Sequence, residues 1–204
     1  MNDNESVSEI KWKLTRDGTV TITGYNGTSS EIEIPDTING YCVTSIGDDA
    51  FYGCSSITSI EIPSSVTSIG EDAFRGCSSL TSVEIPSSVT SIGNYAFYNC
   101  SSLTSIEIPS SVTSIGSYAF SYCDSLTSIE IPSGVTSIGN SAFEGCGRLT
   151  SIEIPSSVTS IGHWTFDYCG SLTIYCEPES LPSGWKNPTW NSSKRPIVWG
   201  YKKG

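Results

Sequence analysis

Apolar positions in this chain recur at one fixed, long interval. Phe51, Phe74, Phe97, Phe120, Phe143 and Phe166 are all six phenylalanines and lie 23 residues apart; Cys54, Cys77, Cys100, Cys123, Cys146 and Cys169 keep the same step. The unit reads Leu-Thr-Ser-Ile-Glu-Ile-Pro-Ser-Ser-Val-Thr-Ser-Ile-Gly-x-x-Ala-Phe-x-x-Cys-x-x. Five full copies begin at Ile57, Leu80, Leu103, Leu126 and Leu149, and an earlier copy over residues 29–56 carries five extra residues around 37–41. A period of this length is the mark of a stacked repeat architecture, and every other position is read against it.

Within one copy each position has a physical task. Leu80, Val83 and Ile85 follow a Leu-x-x-Leu-x-Leu pattern, which predicts a short strand with Val83 and Ile85 facing inward on alternate residues. Pro86 ends that strand, having no N–H for the next ladder bond. Val89 and Ile92 return apolar side chains from the far side. Gly93 recurs as Gly47, Gly70, Gly116, Gly139 and Gly162, which suits a backbone needing positive φ or a close approach. Ala96 and Phe97 fill the convex side, and Cys100 closes the turn toward the next strand. One unit cannot bury its own apolar face, whereas a stack can, and like residues then form ladders about 4.8 Å apart. The predicted fold is a curved right-handed solenoid with a parallel β-sheet on its concave face.

A solenoid needs closed ends, because a terminal coil would otherwise expose its core and a sheet edge. Residues 10–14 and 19–23 alternate in polarity around Asp17-Gly18, a hairpin signal. With Trp12 and Tyr25 this hairpin is expected to cap the first coil. After a last strand at residues 172–176, the segment 181–204 turns proline-rich and aromatic, and Trp185, Trp190, Trp199 and Tyr201 are expected to form a lid. The organisation is thus a cap over residues 1–28, six repeats over 29–171, and a last strand with its cap over 172–204.

The run Ile-Pro-x-x-Val-Thr-Ser-Ile-Gly-x-x-Ala-Phe-x-x-Cys, as at residues 85–100, resembles the repeat of the BspA-like (Treponema-type) leucine-rich repeat family. Thr-Gly-Tyr-Asn-Gly-Thr at 23–28 and Pro-Ile-Val-Trp-Gly-Tyr at 196–201 are similar to the flanking segments of such repeats. The resemblance covers nearly the whole chain. It implies a leucine-rich repeat solenoid on the surface of, or secreted by, bacteria or certain parasitic protists, with roles in adhesion to host proteins and matrix and in cell–cell aggregation. It supplies no catalytic residues and no fixed binding motif. Met1-Asn2-Asp3-Asn4-Glu5 shows neither a positive n-region nor an apolar h-region, so no signal peptide is read in the chain as it stands. Two compartments stay open on that ground: the cytoplasm, or the exterior with a signal removed.

Charge narrows the partners. Ten Lys and Arg stand against 21 Asp and Glu, a formal net charge of −11, which argues against nucleic acid and anionic membrane surfaces. Basic proteins, basic patches on a matrix and divalent cations remain. The chain has no run of 18 apolar residues that would span a membrane. Of the eight cysteines, the periodic six read as small buried free thiols packed at one inward position, with Cys42 and Cys176 outside that series. A Cys169–Cys176 bridge would compete with the ladder. No Cys-x-x-Cys pair exists, and His163 is the only histidine, so no zinc site and no cofactor are expected. His163 reads as a solvent-facing residue. With no nucleophile elbow, no phosphate-cradling glycine loop and no carboxylate pair in an apolar pocket, the chain is not read as an enzyme.

Two surfaces are candidates for binding. Glu33, Glu61, Glu84, Glu107, Glu130 and Glu153 sit between the two inward strand residues, flanked by Ser59, Ser82, Ser105, Ser128 and Ser151. They predict an acidic column on the concave sheet, either a solvated stripe that keeps the sheet soluble or a surface for a cation or a basic partner. The second surface comes from positions that vary between copies, where Tyr95, Tyr98, Tyr118, Tyr122, Trp164 and Tyr168 accumulate. Exposed Tyr and Trp are enriched in interaction patches, although the rings could equally lie flat over the convex turns. The first expectation is a non-enzymatic module that binds a host matrix or cell-surface protein. The alternative is a structural subunit that self-associates through its solenoid ends into fibres or layers. Carbohydrate binding rests on the aromatics alone.

Overall fold

The computed structural model describes residues 9–185 and 188–202. Residues 1–5, on which the reading of the amino terminus rests, lie outside the described residues. Strand β1 (Ile10–Leu14) and strand β2 (Val20–Tyr25) form the expected antiparallel hairpin, Leu14 opposite Val20, with Gly18 at φ 80° in the turn. The hairpin does more than cover the first coil. Its second strand pairs in parallel with Tyr41–Ile46, placing Ile22 beside Ile46, so the end of the array is closed by continuing the repeat's own sheet.

From there a parallel ladder runs through Ile46, Ile69, Ile92, Ile115, Ile138 and Ile161, each preceded by a paired serine. The sequence pattern marks these positions only as returning apolar residues; in the structure they are a continuous sheet. The Ser-Ile-Glu segments build a second parallel sheet on another side of the coil. Glu31–Glu33, Ser59–Glu61 and Ser82–Glu84 pair in order. The pairing then thins to the bridges Glu84–Glu107, Ser105–Ser128 and Glu130–Glu153. It resumes as Ser151–Ile154 beside Thr173–Cys176. That strand pairs in turn with Ile197–Trp199, a strand the sequence reading does not anticipate: the carboxy-terminal segment adds a rung as well as aromatic cover.

The five extra residues of the first copy form a small antiparallel turn, Thr37–Ile38 against Tyr41 and Cys42. Asn39 at φ 51° and Gly40 at φ 81° occupy its two central positions, as a type I′ hairpin requires.

Between the sheets runs a column of phenylalanines. Successive ring centroids from Phe51 to Phe166 are 5.3, 5.2, 5.5, 5.6 and 5.8 Å apart, with planes within 10° of parallel. Each is essentially inaccessible to solvent, and burying a ring of this size stabilises by about 1.5–3 kcal/mol. Tyr25 closes the stack at one end, 5.9 Å from Phe51, and Trp190 meets Phe166 edge-on at the other, 6.1 Å away. Trp185 is fully buried and donates its indole N–H to the Val158 carbonyl at 3.0 Å.

The recurrent glycine answers to close approach rather than positive φ. Gly47, Gly70, Gly93, Gly116, Gly139 and Gly162 are absent from the positive-φ residues. A Cβ on Gly93 would stand 2.4 Å from the Gly70 carbonyl oxygen, and one on Gly116 would stand 2.6 Å from that of Gly93. Consecutive coils therefore touch backbone to backbone along this line.

Candidate binding surfaces

The acidic column forms as the repeat requires. In each strand Ile or Val points inward and the following Glu points out: Ile60 and Val83 are buried, Glu61 and Glu84 exposed. Glu33 pairs in register with Glu61, Glu61 with Glu84, Glu84 with Glu107, and Glu130 with Glu153. Ser82, Ser105 and Ser128 are exposed beside them. Two stretches of this face are concave. A trough of about 590 Å³ is lined by the Ser-Ile-Glu segments 105–107, 128–130 and 151–153. A second, of about 450 Å³, is bordered by Glu33, Glu61 and Glu84 together with Pro35, Pro63 and Pro86. The carboxylates run in a line, and among the described residues no three His, Cys, Asp or Glu side chains converge as a metal-ligand set would.

The variable aromatics cluster in the turns that follow each Ile-Gly. Tyr95 and Tyr118 stack at 4.7 Å with planes 3° apart; Tyr98 meets Tyr95 edge-on at 5.7 Å and Tyr122 at 5.6 Å. These four rings cover one another and are half-buried, whereas Trp164 and Tyr168 are 48% and 70% exposed. Burial pushes the Tyr95 and Tyr122 hydroxyls up, helped respectively by neighbouring Tyr118 and by the Glu144 carboxylate. The charged residues at the same variable positions, which the sequence marks as exposed but not as part of the aromatic patch, complete this surface. Arg75 lies over Tyr52, Tyr95 and Tyr98, its guanidinium carbon 5.5, 5.4 and 4.9 Å from the ring centroids, and pairs with Asp72 at 3.0 Å. The hydrogen bond to Asp72 is the main reason the Arg75 guanidinium is held above its ordinary pKa. Glu144 accepts a hydrogen bond from the Tyr122 hydroxyl at 3.2 Å. Tyr52, Arg75, Tyr98, Ser121, Glu144 and Asp167 share the one repeat slot after Phe, so the register places them in a row, and stacking turns that row into contacts between successive coils.

His163 is exposed, as expected, with its Nδ1 2.7 Å from the Thr189 hydroxyl. The cysteines of the array are buried free thiols except Cys54, which is half-buried; Cys176 is buried and Cys42 exposed. Among the described residues no helix is long and apolar enough to cross a membrane.

Comparison with known proteins places this geometry. The profile of the BspA type leucine rich repeat region matches residues 44–173 in six copies. A leucine-rich repeat protein of Treponema pallidum superimposes with a TM-score of 0.81 at 35% identity, over 86% of this chain and 81% of that one. A leucine rich cell surface protein of Faecalibacterium prausnitzii aligns at 37% identity and a TM-score of 0.66, over 90% of this chain and 56% of its own. A leucine-rich repeat protein of Bacteroides ovatus aligns at 28% identity and a TM-score of 0.61, over 85% and 65%. The chain therefore spans less than two thirds of the latter two proteins. A search of curated proteins gives no significant match.

Proposed function

The chain belongs to the BspA-type leucine-rich repeat family, and from that premise we propose that it is a non-enzymatic, adhesin-like binding module of the cell surface or the extracellular space. Its ligand on this reading is a basic segment of a host matrix or cell-surface protein, received by the acidic troughs of the Ser-Ile-Glu sheet. The observation that carries the reading is the register of that face, which aligns glutamates beside exposed serines from strand to strand along two concave stretches. Like charges in neighbouring strands destabilise a sheet, so a column of them is a standing cost to the fold. A cationic ligand would relieve it, and electrostatic complementarity of this kind governs partner choice and encounter rate. Membership of the family, and the surface location of the Faecalibacterium relative, support the extracellular setting.

The test is binding to purified matrix and cell-surface proteins by surface plasmon resonance at low and high salt, comparing the parent with a Glu61→Gln, Glu84→Gln, Glu107→Gln variant. The expected result is a ligand whose association slows with salt and with the charge removal. No ligand, or a ligand bound equally well by the variant, would remove this face as the site. Light scattering on the same sample addresses self-association. A single 21.8 kDa species at all concentrations fits the binding module, and growth into rods would replace it with a self-assembling subunit.

A further inference from the structure

Each coil holds two residues in the left-handed backbone conformation, and what occupies those slots points to a second binding site. One slot contains Asp49, Asp72, Tyr95, Tyr118, Ser141 and Trp164, at φ between 51° and 58°. The other contains Gly53, Gly76, Asn99, Tyr122, Gly145 and Tyr168, with φ from 57° to 75°. From the first coil to the fifth their N–H groups donate forward to carbonyls of the next coil, as from Tyr95 to Ser117 and from Tyr122 to Glu144, and in the last coil the Trp164 N–H donates to the Thr189 carbonyl of the cap, so the stacking of the array favours this conformation. Gly, Asn and Asp accept it readily, whereas a bulky side chain is strained there by about 1 kcal/mol or more. The same backbone is made without rings in coils where Asp, Asn or Gly fill the slots. Trp164 and Tyr168 occupy these slots while keeping 48% and 70% of their surface open to solvent, so the two strained positions carry rings that the core does not use.

The chain also demonstrates what this surface holds. Arg75 rests among three tyrosine rings with Asp72 beside it. Further along the array the same ingredients surround a notch of about 250 Å³, lined by Tyr118, Ser141, Glu144, Trp164, Asp167 and Tyr168. These are three rings and two carboxylates, with no cation in the lining. Both carboxylates are held in place: Glu144 by Tyr122, and Asp167 by the hydroxyls of Ser193, at 2.9 Å, and Ser192.

We propose that this notch is a docking pocket for an arginine side chain of a partner protein, independent of the acidic troughs. The two carboxylates offer acceptors to the forked donors of a planar guanidinium, and the rings that border the notch offer it an aromatic rim; a lysine ammonium uses neither as fully. The partner is accordingly a basic protein with an exposed arginine, in keeping with the net charge of −11 on this chain.

The probe is a capped glycine-flanked peptide carrying one arginine, titrated at constant ionic strength while the backbone amide shifts around Ser141 and Asp167 are followed by NMR. Matched peptides with lysine and with citrulline, the neutral isostere, are the controls. The expected result is saturable binding of the arginine peptide, with each control at least about tenfold weaker. A Trp164→Asn, Tyr168→Gly double variant should lose the binding by a similar factor while remaining folded, because both replacements accept the left-handed backbone. Glu144→Gln should weaken binding with both rings retained. The proposal is overturned if the arginine peptide does not saturate, if lysine or citrulline binds as well, or if the double variant binds like the parent.

Discussion

The thiol of Cys123 donates to the carbonyl oxygen of Phe97, one coil back, at 3.3 Å. The same contact joins Cys77 to Phe51, Cys100 to Phe74, Cys146 to Phe120 and Cys169 to Phe143 at 3.0–3.2 Å. Each of these thiols is thus a buried donor with an intercoil partner. A thiol alkylates only as its exposed thiolate. Under native conditions at neutral pH, iodoacetamide should therefore modify Cys42 readily and Cys54 slowly, leaving the other six. After denaturation without reductant, intact mass should show eight labels for the eight cysteines. Fewer than eight would mean disulfides and would contradict the free-thiol ladder.

Burial of the same thiols gives the fold an alkaline limit. It pushes Cys77 up to about 12, Cys176 to about 12 and Cys169 to about 11, and it raises Cys100, Cys123 and Cys146 well above the ordinary thiol value. In the unfolded chain these thiols release their protons near about 8.5. Above that pH the unfolded state binds fewer protons than the native state, so stability falls as pH rises. The contribution is complete below about pH 8.5 and is lost as pH climbs through the native values near 11–12. The maximal slope is about 1.4 kcal/mol per pH unit for each thiol. Urea midpoints at about pH 7, 8.5 and 10 test this: a flat profile would show that the thiols are not protected.

The two classes of glycine should respond differently to alanine. Gly116→Ala places a methyl 2.6 Å from the Gly93 carbonyl carbon and oxygen, which forces two coils apart. The expected cost is at the upper end of overpacking, about 2–3 kcal/mol. Gly53, at φ 70°, has nothing within 4 Å of the added methyl, so Gly53→Ala costs only the backbone strain of about 1 kcal/mol. Equal losses in urea denaturation would mean that coil spacing does not depend on the glycine line.

Which parts were legible in the sequence follows from the same residues. The 23-residue step of Phe97, Cys100 and Ile85 encodes the stacking, so the solenoid, its inward positions and its glutamate column are read directly from periodicity. The Ile92 ladder is not, because a two-residue strand leaves no alternation to detect. Left-handed slots are masked where Tyr95, Tyr118 and Trp164 occupy them, since composition there says the opposite of the backbone. Contacts of Arg75 with Tyr52 and Tyr98 are hidden for another reason: the three share one slot in successive coils, and only stacking brings residues 23 apart into touch. The strand Ile197–Trp199 lies beyond the last repeat, where no period announces it.

Stacking also fixes how a break in the core should propagate. Phe120 stands between Phe97 at 5.5 Å and Phe143 at 5.6 Å, and in a solenoid each coil is held chiefly by its neighbours. Removing this ring deletes two ring contacts at the middle of the column and leaves a cavity between coils that the near-identical backbones on either side cannot close. Phe120→Ala is expected to cost about 3–5 kcal/mol, the range for large-to-small changes in a packed core. It should also lower the urea m-value, because the two halves of the array, one closed by the hairpin and the other by Trp185 and Trp190, would no longer unfold as one unit. An unchanged m-value with a loss below about 1 kcal/mol would mean that the phenylalanine column does not couple the coils.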